Sequence, residues 1–394
     1  MKVHLSLTPA FLFDFFHSTW FLKRDNLVHD RTYEHTLWGG GRCYCHLRIG
    51  SLWIEYLRSC CLFGKNWLLT HLFSCNESDC HLAYDIKEDS LKLFIPSTDP
   101  SRVFWTGRGS TPAEALDKYD IDEVFLNQDL ERFIKKWATY HKGSLYILHE
   151  NQGPAKVTAG PRVDFTSLQP AMDAARVVKD AYEIALIRKA NDISSKAHRE
   201  VLANILNFKN EAQVEGIFVD VCISENAKQQ AYAPIAASGS NAATLHYDSN
   251  DESLEGRQLM CLDAGCAWQC YASDITRTFP LSGTWSKEAK AIYDLVERMQ
   301  EACVNRLAPG VRYLDLHILA HQIAIDGLLS LGILHNGTKE EIYKAGTSRA
   351  FFPHGLGHHV GLEVHDVGHK ELMSADVPSS YSNASIAYRS QKLR

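Results

Sequence analysis

Two short runs, "QLMCLDAGC" over residues 258–266 and "SDITRTFPL" over residues 273–281, each hold one aspartate inside an otherwise apolar, strand-like stretch. If the runs pair as a hairpin about Trp268-Gln269, residue 267 lies opposite 270 and Asp263 lies opposite Asp274. Directly opposed side chains have Cβ atoms roughly 4.5–5.5 Å apart, and like charges at that distance are destabilising. A fold that accepts the pair needs a cation between the carboxylates. Hard oxygen donors suit Mn, Mg or Ca, with Co or Zn once a nitrogen joins. In a second arrangement Asp263 caps the turn at Ala264-Gly265 and Asp274 faces solvent, and no ion is needed. The spacing leaves both open, because a one-residue slip of register turns every side chain over.

Nitrogen donors are concentrated in "HGLGHHVGLEVHDVG", residues 354–368, with four histidines among fifteen positions. His354 and His358 have the four-residue spacing of the H-E-x-x-H zinc helix. Gly355 and Gly357 would each cost about 1 kcal/mol inside a helix, and the second position is Gly rather than the Glu base. The glycines instead predict a loop that brings backbone close to something, followed by an extended run with alternate side chains on one face. His358 and His359 then point to opposite sides, so one of them enters a given site, and His365 follows with Asp366 beside it. Upstream, "SGSNAATLHYD" places His246 at the end of a small-residue turn before the Asp263 strand.

Residues 1–70 show no sustained period and receive no assignment. Residues 71–170 read as a small α/β domain: "CHLAYDIKEDSLKLFIP" is strand, turn, strand, followed by a helix at "TPAEALDKYD" and a strand at "GSLYILHE". From residue 171 a long amphipathic helix is predicted, with apolar residues at 177, 178, 181, 184, 185 and 187. Further helices are predicted from Glu211 to about Ala227 with Asn210 as cap, from Ser286 to about Leu307, and from Tyr313 to about Leu331. Strand-like runs "AYAPIAAS", "QLMCLDAGC", "SDITRTFPL" and "HVGLEVHDV" alternate with them, which predicts an α+β catalytic domain over 171–373. Residues 374–394 read as a disordered tail.

The chain has 394 residues, 45% hydrophobic and 22% charged, with a net charge of -6. Nothing in that balance calls for nucleic acid or an acidic membrane. The most apolar window, Ser51 to Phe73, is interrupted by Glu55, Arg58, Lys65 and His71 and does not read as a membrane span. Asp14 interrupts the apolar opening, and no A-x-A cleavage site follows, so a secretory signal is not expected. Five of the eleven cysteines (Cys222, Cys261, Cys266, Cys270, Cys303) fall in segments that read as buried. This predicts reduced thiols in the cytoplasm. The cluster Cys43, Cys45, His46, Cys60, Cys61 lacks the paired spacing of a structural zinc site.

Taken in order, "YEIALIRKA", "SGSNAATLHY", "CLDAGC" with "YASDITRTFP", and "FFPHGLGHHVGLEVHDVG" closely resemble the proline-specific branch of the pita-bread metallopeptidases. That branch comprises Xaa-Pro aminopeptidase and Xaa-Pro dipeptidase (prolidase). The resemblance runs over about 72–370 and is strongest over 176–368. It implies a pita-bread catalytic domain and a site of two divalent ions, usually Mn2+, with Co2+ or Zn2+ as alternatives. Asp263, Asp274 and His358 are then ligands, with Asp274 bridging. His246, His354 and His365 are substrate-side catalytic positions for the scissile carbonyl, the proline ring or the substrate carboxylate. X-Pro peptides are the implied substrates, with release of the N-terminal residue, and a homodimer is the implied assembly.

The sequence departs from the family in one respect. The family's two glutamate ligands come from later strands, in V-E-P-G and V-R-I-E-D patterns, whereas here only Glu371 follows Glu363. A truncated or mispredicted reading frame is the expectation that covers both ends, with weak metal binding and little turnover. The alternatives are an Xaa-Pro dipeptidase and a non-catalytic module that keeps the scaffold and a vestigial peptide cleft.

Overall fold

The computed structural model describes residues 54–55, 79–86, 88–140, 143–148 and 162–368. These fall into two compact units, divided between Val178 and Lys179. The cysteine and histidine cluster at 43–61 and the expected tail at 374–394 lie outside the described residues. Of the first seventy positions only β1 (Ile54–Glu55) is described.

In the first unit β1 is followed by β2 (His81–Asp85) and β3 (Ser90–Ile95), the strand, turn, strand read from the alternation. Next come α1 (Pro100–Thr106), α2 (Pro112–Lys118), β4 (Glu123–Leu126), α3 (Leu130–Tyr140), β5 (Ser144–Tyr146), β6 (Arg162–Asp164) and α4 (Leu168–Val177). The sheet order is β1-β2-β3-β4, antiparallel except for the β3–β4 pair. α2 starts where the sequence predicts, at a capping box in which Thr111 and Glu114 satisfy each other's backbone N–H. Residue 171, the expected start of the second domain, lies within α4. Leu168 and Met172 of that helix are buried in the first unit's core beside Leu82, Leu93 and Ile95.

The second unit opens with α5 (Ala181–Asn204), and here the single long helix of the sequence reading is corrected to two. Asp180 accepts a hydrogen bond from Glu183 N, and Glu183 accepts one from Asp180 N, so a new helix begins there. Val178, read as apolar face, is 76% exposed between the two helices. Of the predicted positions Ile187 is buried, and the stripe continues through Ala190, Ile193, Ala197 and Val201. α6 (Glu211–Ser224) carries the expected Asn210 cap, which accepts from Ala212 N at 2.7 Å.

Strands β7 (Gln229–Gln230), β8 (Ile235–Ser238), β9 (Leu259–Asp263), β10 (Cys266–Trp268), β11 (Tyr271–Ala272) and β12 (Thr276–Pro280) follow. They form two three-stranded sheets, β11-β10-β7 and β12-β9-β8. α5 and α6 pack on them through Phe218, Met260, Leu262 and Phe279. Helices α7 (Lys287–Arg306), α8 (Tyr313–Ser330) and α9 (Lys339–Lys344) follow, with Phe352 and Leu356 in the core between α7 and α8. Among the described residues no helix is long and apolar enough to cross a membrane. Cys222, Cys261, Cys266 and Cys303 are buried as expected, whereas Cys270 is half-buried on a turn.

Two further expectations are corrected. The hairpin turns at Gln269-Cys270, not Trp268-Gln269, so Asp263 faces Thr276 and Ala267 faces Ala272. Both turn residues have positive φ, 46° and 70°, the backbone of a primed two-residue turn, whose twist matches the strands. Moving the turn by one residue shifts every partner by two, so the aspartates keep a common face but stand diagonally. The run "HVGLEVHDV", read as extended, is a bent loop whose ends meet in a single bridge, His359 with Asp366.

Candidate active site

The diagonal offset leaves a gap between the carboxylates, and Tyr232 fills it. Ala231 N donates to Gly265 O at 2.8 Å, which delivers the next residue, Tyr232, beside the hairpin. The Tyr232 hydroxyl lies within hydrogen-bond reach of both Asp263 and Asp274, the latter at 3.0 Å. Burial, and then the two negative charges, push the Tyr232 hydroxyl well above its ordinary pKa, so it keeps its proton. One proton thus eases the repulsion that the sequence reading assigned to a cation. Tyr232 was missed by that reading; its only signal was an isolated phenol in the small-residue run "AYAPIAAS".

The backbone beneath is tightly specified. Ala264 N donates to Ile275 O and Ser273 N to Cys266 O, and between these bonds a Cβ on Gly265 would lie 2.0 Å from Ser273 O. Ser194 of α5 holds Ser273 Oγ at 2.8 Å and accepts from Cys266 N at 3.0 Å. His198 Nε2 contacts Ala264 O at 3.1 Å.

His358 reaches the same place from the loop. Its Nδ1 is 2.8 Å from the His359 carbonyl, which can only accept, so Nδ1 carries a proton. Its Nε2 lies 3.1 Å from Asp274 Oδ2. Burial works against the imidazolium, but the Asp274 carboxylate and the His359 carbonyl outweigh it and hold the His358 pKa above its ordinary value. In the neutral ring, an Nε2 lone pair would face a carboxylate oxygen, an arrangement that calls for a shared proton or a cation.

His365 stacks edge-on against His358, with ring centroids 4.2 Å apart. Burial and then the charge of His358 keep its pKa below the usual value, and His246 adds to the effect. His246 itself is exposed on its turn. That turn is fixed by Glu211, fully buried at the start of α6, which accepts from Ser238 N and Oγ, Asn241 Nδ2, Tyr247 Oη and Glu252 N. His354 sits at the other end of the loop, with Nδ1 2.7 Å from Gly355 O and its ring edge-on to Phe352 at 4.9 Å. The His359 ring packs on Gly368.

Among the described residues no three His, Cys, Asp or Glu side chains stand as a ready-made metal cage. In kind, the donors do fit a divalent ion: two carboxylates joined through one phenol, and one imidazole nitrogen with its tautomer fixed. Two ligands each about 2.1 Å from one octahedral ion stand about 3.0 Å apart. The Nε2–Oδ2 pair of His358 and Asp274 already has that spacing.

The family model described as metallopeptidase family M24 matches residues 185–386, and that of the aminopeptidase P N-terminal domain matches residues 61–146. A probable Xaa-Pro aminopeptidase of Pyrenophora tritici-repentis is 69% identical over 315 residues, which is 79% of this chain and 48% of that relative. One from Aspergillus fumigatus is 54% identical over 322 residues, 81% of this chain and 66% of the relative. The fold is similar to that of aminopeptidase P from E. coli, with a TM-score of 0.69 and 27% identity over 80% of this chain and 76% of that one. The chain thus spans about half the length of the Pyrenophora relative.

Proposed function

The chain belongs to metallopeptidase family M24, a family of divalent-metal hydrolases, and on that premise we propose that it is built for Xaa-Pro aminopeptidase chemistry: release of an N-terminal residue whose neighbour is proline. The observation that carries the proposal is the convergence of Asp263, Asp274 and His358, with His365 against the last of these. In this reading Asp263, Asp274 and His358 hold divalent metal, manganese first. When bound, the ions act as a Lewis acid on the scissile carbonyl. These three side chains are three of the five donors that the family resemblance implies.

The protein's own groups do the rest. The X-Pro bond is a tertiary amide with no N–H, so a binding groove cannot use the usual backbone donor. His246, His354 and His365 supply side-chain contacts instead, to the carbonyl, the proline ring or the carboxylate of the peptide. His365 is held neutral at pH 7 by burial and by His358, so it can donate from one nitrogen and accept at the other. The His354 ring is fixed by Gly355 O on one edge and Phe352 on the other. The buried thiols Cys222, Cys266 and Cys303 support a reducing, cytoplasmic setting.

The test is hydrolysis of paired X-Pro and X-Ala peptides by the full chain with added Mn2+, alongside Asp274→Asn. With three of the five donors present, the expected result is slow, metal-dependent cleavage confined to X-Pro and lost in the variant. Equal cleavage of X-Ala, or an unaffected Asp274→Asn, overturns the proposal. One observation favours a second reading. The Tyr232 hydroxyl stands between the two carboxylates and can donate its one proton to either, as in a module that holds peptides without cutting them. X-Pro peptide binding with no turnover at any Mn2+ concentration would select that reading.

A further inference from the structure

Among the described residues the histidine loop joins no sheet beyond one isolated bridge, yet His358 and His365 stand at a defined separation, so more than strand pairing fixes its shape. Its ends are closed by Asp366 N donating to His359 O at 3.0 Å. Its near side is tied to the aspartate hairpin by Ala272 N donating to Gly361 O at 2.8 Å. Its interior is filled by an ion pair: Lys179 Nζ lies 2.6 Å from Asp366 Oδ2, and the two side chains are 11% and 1% exposed. A Cβ at Gly361 would lie 2.2 Å from Asp366 Oδ2 and 2.7 Å from Lys179 Cε, so the loop backbone is wrapped directly on the pair.

Lys179 is in turn placed by its own neighbours. It immediately precedes Asp180, the N-cap of α5, whose capping box with Glu183 sets the helix start. Glu183 also accepts from Tyr271 Oη at 2.9 Å, on the hairpin beside Ala272. The first turn of α5 therefore grips both arms of the site, the hairpin through Tyr271 and the loop through Asp366. A buried ion pair does this at the cost of desolvating two charges, and removing either partner leaves the other buried and uncompensated.

We infer that Lys179 is a positioning residue of the site: with Asp366 it holds the loop that presents His358 and His365 to Asp274. The inference rests on the reading of these histidines as site residues, and it adds a control point remote from the reacting atoms. The Lys179 ammonium touches Asp366, and its effect reaches the site through the loop.

The experiment compares the full chain with Lys179→Met, Lys179→Arg and Asp366→Asn by two readouts. One is Mn2+ affinity by titration calorimetry, and the other is the ring C2–H resonances of His358 and His365 in metal-free protein. Lys179→Met and Asp366→Asn are each expected to weaken Mn2+ binding tenfold or more, the scale for groups that orient ligands. Both should move the two histidine resonances, and Lys179→Arg should restore both readouts. Wild-type affinity and unmoved resonances in Lys179→Met would overturn the inference. If the wild type binds no Mn2+, the proposed function fails while the resonances still decide the role of Lys179. If Lys179→Met does not fold, Asp366→Asn, which keeps the side-chain shape, decides between the same outcomes by the same two readouts.

Discussion

The aspartate hairpin and the histidine loop meet where Asp274 faces His358, yet the two are held by different forces. In the hairpin, β9 and β12 pair residue by residue from Asp263–Thr276 to Leu259–Pro280, and the turn is a positive-φ pair. Main-chain hydrogen bonds therefore decide where its side chains point. In the loop a single bridge joins His359 and Asp366, and the shape is kept by the Lys179–Asp366 pair and by the carbonyl contacts of His354 and His358. The hairpin should thus be intolerant of anything that separates its backbones, and the loop sensitive to charge while forgiving of added bulk wherever it faces open space.

The largest effect expected follows from Gly265. Its missing Cβ is where the Ser273 carbonyl sits, 2.0 Å from the built position, and the obstacle is backbone rather than a movable side chain. Gly265→Ala should cost about 3 kcal/mol or more, the upper range for overpacking a dense interior. Urea unfolding measures it, and a loss under about 1 kcal/mol would show that the hairpin yields as easily as a loop.

Next comes the pH response of the hairpin's support. His198 is 4% exposed under Ala264, and burial above all, with the charge of Arg277, takes its pKa from 6.5 to about 4. The unfolded chain then binds the proton first. The stability this contributes is complete above pH 6.5 and lost as pH falls toward 4, by as much as about 3 kcal/mol. His198→Gln should flatten that slope in unfolding curves collected between pH 4 and 7 in chelator. On the loop, His358 has the opposite sign, because its folded pKa is raised: its contribution is complete below 6.5 and is lost as pH rises through the folded value.

This difference also explains how much could be read from the sequence. Helix ends written in local chemistry were legible: Asn210 capping α6, and the starts of α7 at Ser286 and of α2 within "TPAEALDKYD". So was the shared face of Asp263 and Asp274, which depends only on strand alternation. The register was not, because Gln-Cys gives no turn signal and its positive-φ backbone is imposed by the paired strands. The histidine run alternates like a strand, but its conformation is set by Lys179, far earlier in the sequence. Tyr232 and Glu211 were illegible for the same reason: each acts through partners 27 or more residues away, brought close only by the fold.

A smaller effect isolates the junction between the arms. Tyr232→Phe removes one hydroxyl donor from two carboxylates, a loss of about 1.5–3 kcal/mol for hydrogen bonds to charged groups. Measured in chelator the loss should be in full, and with saturating Mn2+ it should shrink, because the ion takes over the role of the proton between Asp263 and Asp274. An equal loss in both conditions would mean that the ion and the hydroxyl do not share that gap.

The smallest effect is the mirror of the first. Gly355 lies in the loop beside His354, is exposed, and has nothing within 4 Å of an added Cβ; its φ is outside the positive range that favours glycine. Gly355→Ala therefore meets no steric obstacle in the folded chain, while the methyl narrows the unfolded ensemble. The expected change is a gain of about 0.4–1 kcal/mol, opposite in sign to the same substitution at Gly265. If a peptide's backbone runs along this stretch, as the glycines of "HGLGHH" predict, the variant should be more stable and yet bind X-Pro peptides more weakly. Unfolding and peptide titration of one protein sample separate the two: weaker binding without lost stability places the peptide beside Gly355, and unchanged binding removes it from there.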